Sequence, residues 1–312
     1  MKRKSLTLFL VLILGWLTVY AQNQKQPIID VHLHAQSTIW MKTMPCTPQP
    51  CEGSKTQISD ISELLPQTVS EMKEHNVVLG IVTYNDLEEL KSWKSFAPGM
   101  FYTGIQFWNP LQPDISIIQE EFSQGRVNII GEIGTQYYGF SPNDPKIDKF
   151  YELAVELDVP VLIHCAALAG KSELFNITDG NPLLLEPVLK KYPSLRIYVE
   201  NAGYPFSQEM IALMNRYSTV YVDVSTVTWL IPREAFHKYL EELVIAGYGK
   251  RIMFGSDQMI WPEAIGMGIE AINSADFLSF EQKRDILYNN AARFLRLSEE
   301  VIAEHHQRVN NH

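Results

Sequence analysis

The sequence predicts a single (β/α)₈ barrel of the TIM type, with further helices at its C-terminus. Short apolar runs alternate with longer amphipathic stretches, which is typical of repeated βα units. Eight such runs can be counted, and about 290 residues remain after the first 21, enough for a barrel of about 250. An open doubly wound sheet is the alternative. It would carry a Gly-rich turn after its first strand, where this chain has His32 and His34.

The predicted elements follow one another along the whole chain. The predicted strands are 27–34, 77–83, about 100–106, 127–133, 161–165, 195–201, 219–224 and 251–257. A polar loop is expected over about 36–59. The predicted helices are about 60–75, 114–124, one around 147–157, 182–192, 207–216, 233–246, and two that begin near 262 and 279. Pro66 suits a first helical turn, and the apolar spacing over 147–157 gives one helical stripe.

The first 21 residues are typical of a signal peptide. Lys2, Arg3 and Lys4 precede an almost wholly apolar run from Leu6 to Val19, and Ala21 supplies a small residue for cleavage. An uncleaved membrane anchor is the alternative, although the run is short for a span of about 20 residues. We therefore expect an exported protein, periplasmic or secreted, with one barrel domain over 22–312 and no stable membrane anchor.

Charge and cysteine content limit the classes of partner. Removal of the three basic residues leaves 23 Lys and Arg against 36 Asp and Glu, a net charge near −13. A nucleic-acid partner requires a basic face, and no basic run is present, so a small-molecule substrate is expected. Cys46 and Cys51 can form a disulfide after export or, alternatively, a zinc pair. Cys165 is expected to be a buried thiol.

Two histidines end the first predicted strand. Side chains alternate along a strand, so His32 and His34 share a face with Asp30, while Ile29, Val31 and Leu33 share the other. We expect the polar face to line the barrel interior and the apolar face to pack against helices. Two imidazoles on one face can bind one cation, although a chance pair on an exposed strand has the same spacing.

Three further candidate ligands lie at the ends of other strands. His164 ends the fifth strand, Glu132 the fourth and Asp257 the eighth. Each residue also has a structural explanation: His164 as a hydrogen-bonded core histidine, Glu132 as a salt-bridged residue and Asp257 as a helix cap. Together, however, all of the candidates fall at the carboxyl ends of strands, where the active sites of such barrels lie. The nitrogen and oxygen donors suit Zn²⁺, Mn²⁺ or Fe²⁺.

These residues resemble the amidohydrolase superfamily, in particular its amidohydrolase-related (amidohydrolase 2) branch, with features similar to TatD-like hydrolases. The stretches that carry the resemblance are 29–34, 131–134, 162–164, 251–257 and 290–295, which span most of the chain. The resemblance implies a metal-activated water as nucleophile, with metal ligands His32, His34, Glu132, His164 and Asp257. It also implies that Asp257 is the catalytic general base.

One departure concerns the end of the sixth strand. Asn201 stands where the resemblance predicts a histidine, and an amide is a poor ligand and no base. Glu200 is the neighbouring candidate, but strand periodicity is expected to direct it away from the interior. We therefore expect either one metal ion, or a second ion held partly by Glu132.

 We expect the metal to be zinc, with manganese or iron as alternatives.

The substrate itself is not specified by the sequence. Arg233 is a candidate to grip a substrate carboxylate, and aromatic residues near strand ends can line an organic pocket: Trp40, Trp108, Tyr137, Tyr138, Tyr204 and Trp229. Three functions remain open. The first is a metal-dependent hydrolase of a cyclic ester, amide or related bond. The second is a metal-dependent decarboxylase, and the third is a binding barrel without catalysis.

Overall fold

The computed structural model describes residues 25–35, 58, 60–168 and 172–310. Eight parallel strands form one sheet in the order β1 to β8, so each strand pairs with the next one along the chain. The strands are β1 (Ile28–His34), β2 (Val77–Tyr84), β3 (Phe101–Phe107), β4 (Ile129–Ile133), β5 (Val161–Ile163), β6 (Ile197–Val199), β7 (Val220–Asp223) and β8 (Ile252–Met253).

Backbone hydrogen bonds join the last strand to the first. The amide of Val31 donates to the carbonyl of Phe254 over 3.0 Å, and the amide of Asp257 donates to the carbonyl of His32 over 2.8 Å. Gly255 allows this approach, because a Cβ there would lie 2.8 Å from the Cβ of His32. The predicted (β/α)₈ barrel is therefore confirmed.

Helices connect the strands and cover the outside of the barrel. They are α1 (Leu64–Glu74), α2 (Leu87–Phe96), α3 (Ile115–Ser123), α4 (Asp148–Glu156), α5 (Glu186–Lys191), α6 (Ser207–Arg216), α7 (Val227–Leu230), α8 (Arg233–Ile245), α9 (Ala264–Asn273), α10 (Phe280–Arg284), α11 (Asn290–Phe294) and α12 (Glu299–Asn310). A π-helical turn over Asp285–Asn289 joins α10 to α11. The helices α2, α7 and α12 were not predicted from the sequence. Most other predicted bounds agree within about three residues, but β6 and β8 are shorter than predicted.

Two apolar cores lie on the two faces of the sheet. The larger core lies between strands and helices and includes Leu33 of β1. The smaller core contains Ile29 and Val31 of β1, together with Leu162, Tyr198 and Met253 from three other strands. The hydroxyl of Tyr198 donates to the carbonyl of Val31 over 3.0 Å, which links β6 to β1 across the barrel. The smaller core therefore fills the barrel interior.

The expected orientation of β1 was wrong in part. Ile29 and Val31 pack in the interior core, whereas Leu33 packs with the helices, so these three residues do not share one face. The pairing of β1 with β2 has a register irregularity between Asp30 and Leu33. Such an irregularity interrupts the alternation of side chains. As a result, β1 is apolar inside the barrel at its start and carries histidines at its end.

Several predictions lie outside the described residues. The signal peptide over 1–21, the loop with Cys46 and Cys51, and Trp40 belong to this group. Cys165 is buried, as expected. Among the helices of the described ranges, none has the length and apolar character needed to cross a membrane.

Candidate metal centre

Polar side chains within or just after all eight strands meet at the carboxyl end of the barrel. Parallel strands place all of their carboxyl ends at one rim, so residues distant in sequence become neighbours there. Six of these residues form a cluster in which each is at most 3% exposed: His32, His34, Glu132, His164, Glu200 and Asp257. The structure thus brings together all five ligands expected from the sequence and adds Glu200.

The first half of the cluster surrounds the end of β1. Nε2 of His32 lies 3.1 Å from Nε2 of His34, which in turn lies 3.0 Å from Oδ1 of Asp257. Oε2 of Glu132 completes this half, at 3.9 Å from Nε2 of His32 and 3.5 Å from Nε2 of His34. Four potential ligand atoms therefore converge on one small volume.

The second half of the cluster lies on the other side of Glu132. Oε1 of Glu132, its second oxygen, lies 3.5 Å from Nδ1 of His164. The same ring nitrogen lies 3.0 Å from Oε2 of Glu200. Glu132 therefore faces both halves, with one oxygen toward each. Gly131 permits this placement of the fourth strand, because a Cβ there would lie 2.3 Å from the carbonyl oxygen of Leu162.

The expectation that Glu200 points away from the interior was wrong. On β6, Ile197 and Val199 pack with the helices, whereas Tyr198 lies in the interior core. Alternation then directs Glu200 to the same side as Tyr198. The sequence contained this signal, because the aliphatic residues at 197 and 199 mark the outward face.

Asn201 is not one of the potential metal ligands and instead forms hydrogen bonds with neighbouring residues. Its side-chain amide donates to Oε1 of Glu200 over 3.0 Å. Its side-chain oxygen accepts from the hydroxyl of Ser225 over 3.1 Å and from the amide of Thr226 over 3.0 Å. The φ angle of Asn201 is +54°, a left-handed conformation that asparagine tolerates better than most residues. Asn201 thus connects the end of β6 to the loop after β7.

Four residues that were not predicted from the sequence support the cluster. Oδ2 of Asp223 lies 3.2 Å from Nδ1 of His32, and the hydroxyl of Thr226 donates to Oδ2 of Asp257. Gln106 donates to Oε2 of Glu132 over 3.0 Å, and the hydroxyl of Thr83 lies 3.2 Å from Nδ1 of His34. Asp223 and Gln106 are polar residues at the ends of apolar strands, which is the signal that had identified His164.

Burial and mutual charge strongly affect protonation in the cluster. Burial and the charge of Glu132 raise the pKa of Glu200 to about 8. Burial opposes the charge on His164, yet the neighbouring Glu200 and Glu132 raise its pKa to about 10. For Glu132, burial is outweighed by the adjacent imidazoles of His164, His32 and His34, and its pKa lies well below the usual range. The buried carboxylates thus require nearby positive charge, either as imidazolium or as a bound cation.

The donor atoms fit a divalent cation. Two ligand atoms that share one zinc ion lie about 3.0–3.5 Å apart, given bonds of about 2.0–2.2 Å. The separations in the first half of the cluster range from 3.0 to 3.9 Å. In addition, Oδ1 of Asp257, Oε2 of Glu200 and both ring nitrogens of His164 are buried without a hydrogen bond to any described residue. Buried polar atoms of this kind are commonly satisfied by an ion.

Of the remaining candidate residues, some lie beside the cluster and others lie away from it. Arg233 lies outside the cluster, where it pairs with Glu270 and donates to the hydroxyl of Ser274 over 2.8 Å. Its expected role with a substrate carboxylate therefore has no support from its contacts. Tyr137, by contrast, packs its ring 4.9 Å from that of His164.

Aromatic rings flank the second half of the cluster. Trp108 contacts Tyr137 edge to face with ring centroids 4.9 Å apart, and Phe175 lies 6.3 Å from the ring of His164. All three aromatic residues are partly exposed, so they border the opening above His164. Trp229 is instead buried, with its indole nitrogen donating to the carbonyl of Ser256 over 2.7 Å. The mouth of the site is therefore apolar on the side of β3, β4 and β5.

Comparison with known proteins agrees with this architecture. A family model described as "Amidohydrolase" matches residues 29–297, which confirms the resemblance found in the sequence. The likeness to TatD-like hydrolases stays a prediction. Protein fluG of Emericella nidulans is 22% identical over 153 residues, which cover 43% of this chain and 18% of that protein. The chain thus spans less than a fifth of the length of this curated relative.

Solved structures share the fold at low sequence identity. A probable 2-pyrone-4,6-dicarboxylic acid hydrolase from Acinetobacter baumannii superimposes with a TM-score of 0.61 at 15% identity, over 87% of this chain and 100% of that one. A 5-carboxyvanillate decarboxylase from Novosphingobium aromaticivorans, complexed with manganese, gives a TM-score of 0.57 at 16% identity, over 88% and 97% of the two chains. At these identities the likeness concerns the fold.

Proposed function

The chain belongs to the amidohydrolase family, and from this premise we propose that it hydrolyses a small organic substrate with the aid of a divalent cation and a water molecule. The observation that carries the proposal is the position of Asp257. Its Oδ1 lies 3.0 Å from Nε2 of His34, is buried, and forms no hydrogen bond to a described residue. A carboxylate placed in this way is free to take a proton beside the cation ligands.

His32, His34, Glu132 and Asp257 would hold the cation. When bound, a divalent cation lowers the pKa of water and polarises a substrate carbonyl. The mixed imidazole and carboxylate donors suit zinc, with manganese or iron as alternatives. Their buried positions at strand ends keep these donors in place before the cation arrives, which favours binding.

Asp257 performs the proton transfers in this proposal. Its Oδ1 accepts the proton of the attacking water and then delivers it to the leaving group. The hydroxyl of Thr226 donates to the other oxygen, Oδ2, and so fixes the orientation of the carboxylate. The amide of Asp257 is bonded to the carbonyl of His32, which ties the base to the strand that carries two ligands.

The residues at the opening of the site support one class of substrate. Trp108, Tyr137 and Phe175 provide aromatic surface beside His164, which suits a ring or another planar group attached to the scissile carbonyl. We therefore propose that the bond cleaved in the substrate is a cyclic ester, an amide or a related bond. The hydrolase from Acinetobacter baumannii, with its dicarboxylated pyrone, is a relevant comparison for such a ring.

A decarboxylase is the second candidate, favoured by the similar fold of the 5-carboxyvanillate decarboxylase. The two reactions differ in their products. Release of carbon dioxide from an aromatic acid would support the decarboxylase, and uptake of water into a cleaved ester or amide would support the hydrolase. Ligand binding without turnover in zinc, manganese and iron forms would instead support a binding protein.

The decisive experiment compares Asp257→Asn with Asp276→Asn. Asp276 is an exposed aspartate, so the second variant makes the same chemical change away from the cluster. We expect Asp257→Asn to retain most of its cation and to lose turnover, while Asp276→Asn keeps both. Full activity of Asp257→Asn would refute its role. A His32→Ala/His34→Ala double variant should lose the cation measured by elemental analysis.

Export of the protein is part of the same proposal. The basic start and apolar run before Ala21 support cleavage and release into an oxidising compartment. N-terminal sequencing of the protein recovered from its producing cells tests this proposal. A mature chain that begins near Gln22 is expected, and an intact Met1 in a membrane fraction would contradict it.

A further inference from the structure

The loops after β4 and β5 carry exposed apolar side chains beside the metal centre. Tyr138 is 50% exposed, Leu174 58% and Ile177 67%, and we call these three residues the apolar rim. Both loops begin at the carboxyl ends of strands that contribute to the cluster, since Glu132 lies in β4 and His164 directly follows β5. The apolar rim therefore borders the opening of the site.

Contacts between the two loops join the apolar rim into one surface. The hydroxyl of Ser172 donates to the carbonyl of Tyr137 over 2.8 Å. A Cβ added to Gly139 would lie 3.8 Å from the Cβ of Leu174 and 3.3 Å from its carbonyl oxygen, so the chain next to Tyr138 lies against Leu174. The rim is thus formed before any substrate arrives, which lowers the entropy cost of binding.

The apolar rim continues the aromatic surface beside His164. The rings of Tyr137 and Phe175 lie 5.9 Å apart, and each of these residues is the chain neighbour of a rim residue. Trp108 extends the same surface toward the end of β4, where it lies so close to Gly134 that a Cβ there would clash with the indole ring. Apolar surface therefore leads from the metal centre outward to the rim.

We infer that the substrate carries an uncharged alkyl chain, which extends from the ring at the aromatic surface onto the apolar rim of Tyr138, Leu174 and Ile177. The inference rests on the proposed function, because that function places the scissile carbonyl at the metal centre and the ring beside His164. Each methylene group removed from water favours binding by about fourfold. A chain of several carbons on the rim therefore distinguishes this substrate from a small, unsubstituted one.

The size and charge of the apolar rim support this occupant. Three half-exposed side chains offer on the order of 300 Å² of surface, whereas a stable protein partner takes about 800 Å² from each side. A small molecule therefore fits the rim better than a protein does. The one ionisable side chain over 172–178 is that of Glu173, which is exposed and precedes Leu174. A carboxylate at the end of the chain would be repelled there.

Two ketones test the inference without any hydrolysis. Cyclopentanone and 2-heptylcyclopentanone share a ring carbonyl, contain no ester or amide bond, and differ only by an alkyl chain. Calorimetric titration of the zinc-loaded protein measures the affinity for each ketone. We expect the substituted ketone to bind about 10- to 100-fold more tightly, which corresponds to burial of about two to three methylene groups. Equal affinities for the two ketones would overturn the inference.

Leu174→Ser/Ile177→Ser is the central variant, because it makes the rim polar at two exposed positions that the fold does not need. Its preference for the substituted ketone should decrease to about threefold or less. Ile245→Ser is the matched control, since Ile245 is 77% exposed at the end of α8 and lies away from the rim. The control should keep the full preference. An unchanged preference in the double variant would overturn the inference, and circular dichroism checks that each variant has folded.

Two lactones separate this inference from the proposed function. δ-Valerolactone and δ-dodecalactone differ by the same heptyl chain, and titration of the released acid gives kcat/KM for each. If the ketones show the preference but neither lactone is cleaved, the proposed hydrolysis fails while the chain-binding surface stands. If both lactones are cleaved equally well and the ketones bind equally, the hydrolysis stands and the inference fails. A dimer that dissociates in the double variant would assign the rim to a second copy of the chain and would also overturn the inference.

Discussion

Oδ2 of Asp223 lies 3.2 Å from Nδ1 of His32, on the side of the ring that faces away from Nε2 and the cluster. Oδ1 of the same aspartate accepts from the amides of Asn201 and Ser225, so the carboxylate is itself held in place. A carboxylate behind a ligating histidine fixes its ring and increases its basicity. Asp223 therefore prepares His32 to offer Nε2 to a cation.

The first prediction concerns this pair. Asp223→Ala should weaken cation binding by about 10- to 100-fold, because the ring of His32 loses its orientation. Calorimetric titration of the metal-free protein with ZnCl₂ measures the change. Asp285→Ala is a suitable control, since Asp285 is a buried aspartate that pairs with Lys250 outside the cluster. Equal affinities of the two variants would show that Asp223 does not support His32.

The second prediction concerns Thr226, whose hydroxyl donates to Oδ2 of Asp257. A hydrogen bond to a charged group contributes about 1.5–3 kcal/mol. Thr226→Val should therefore lower kcat by about 10- to 100-fold, while Thr226→Ser, which keeps the hydroxyl, should retain most of it. Steady-state kinetics on a substrate of the proposed class provides the measurement. Similar losses in both variants would indicate a packing role for Thr226 instead.

The third prediction concerns the barrel interior. Tyr198→Phe removes the hydrogen bond from the buried hydroxyl to the carbonyl of Val31. The free energy of unfolding should fall by about 1–2 kcal/mol, because the carbonyl loses a buried partner. Urea denaturation gives this value. Tyr138→Phe, at a side chain that is 50% exposed, should have little effect. An unchanged midpoint for Tyr198→Phe would contradict the prediction.

The fourth prediction concerns the pH dependence of stability. Burial lowers the pKa of His305 to about 4, from an ordinary value near 6.5. The unfolded chain therefore takes up this proton before the folded chain does, so stability is fully present above the ordinary pKa and decreases as the pH falls from about 6.5 to about 4. The loss from this residue amounts to about 3 kcal/mol.

His305→Asn should remove this contribution to the pH dependence. The free energy of unfolding is measured by denaturant titration at several values from about pH 4 to about pH 7. The difference between the unaltered protein and the variant isolates His305 from other titrating groups. His237→Asn, at a histidine that contacts the carbonyl of Ala271, is the control. Parallel curves for the unaltered protein and His305→Asn would refute the prediction.

The sequence by itself determined the barrel and most of the cluster. Alternating apolar and amphipathic stretches predict βα units, and parallel strands must end at one rim, so His32, His34, Glu132, His164 and Asp257 were expected to meet. The helices α2, α7 and α12 were missed. Their apolar faces are short or are completed by neighbours, so local periodicity in one sequence carries little information about them.

Only the tertiary structure decided which face of each strand points inward. Periodicity shows which residues share a face, but the register irregularity in β1 changes that face between Val31 and Leu33. In β6, by contrast, the pairing is regular, and alternation from the inward-facing Tyr198 brings Glu200 into the cluster. The pairing of Asp223 with His32 likewise depends on how β7, β8 and β1 approach one another when the barrel closes, because such contacts join residues that no local pattern relates.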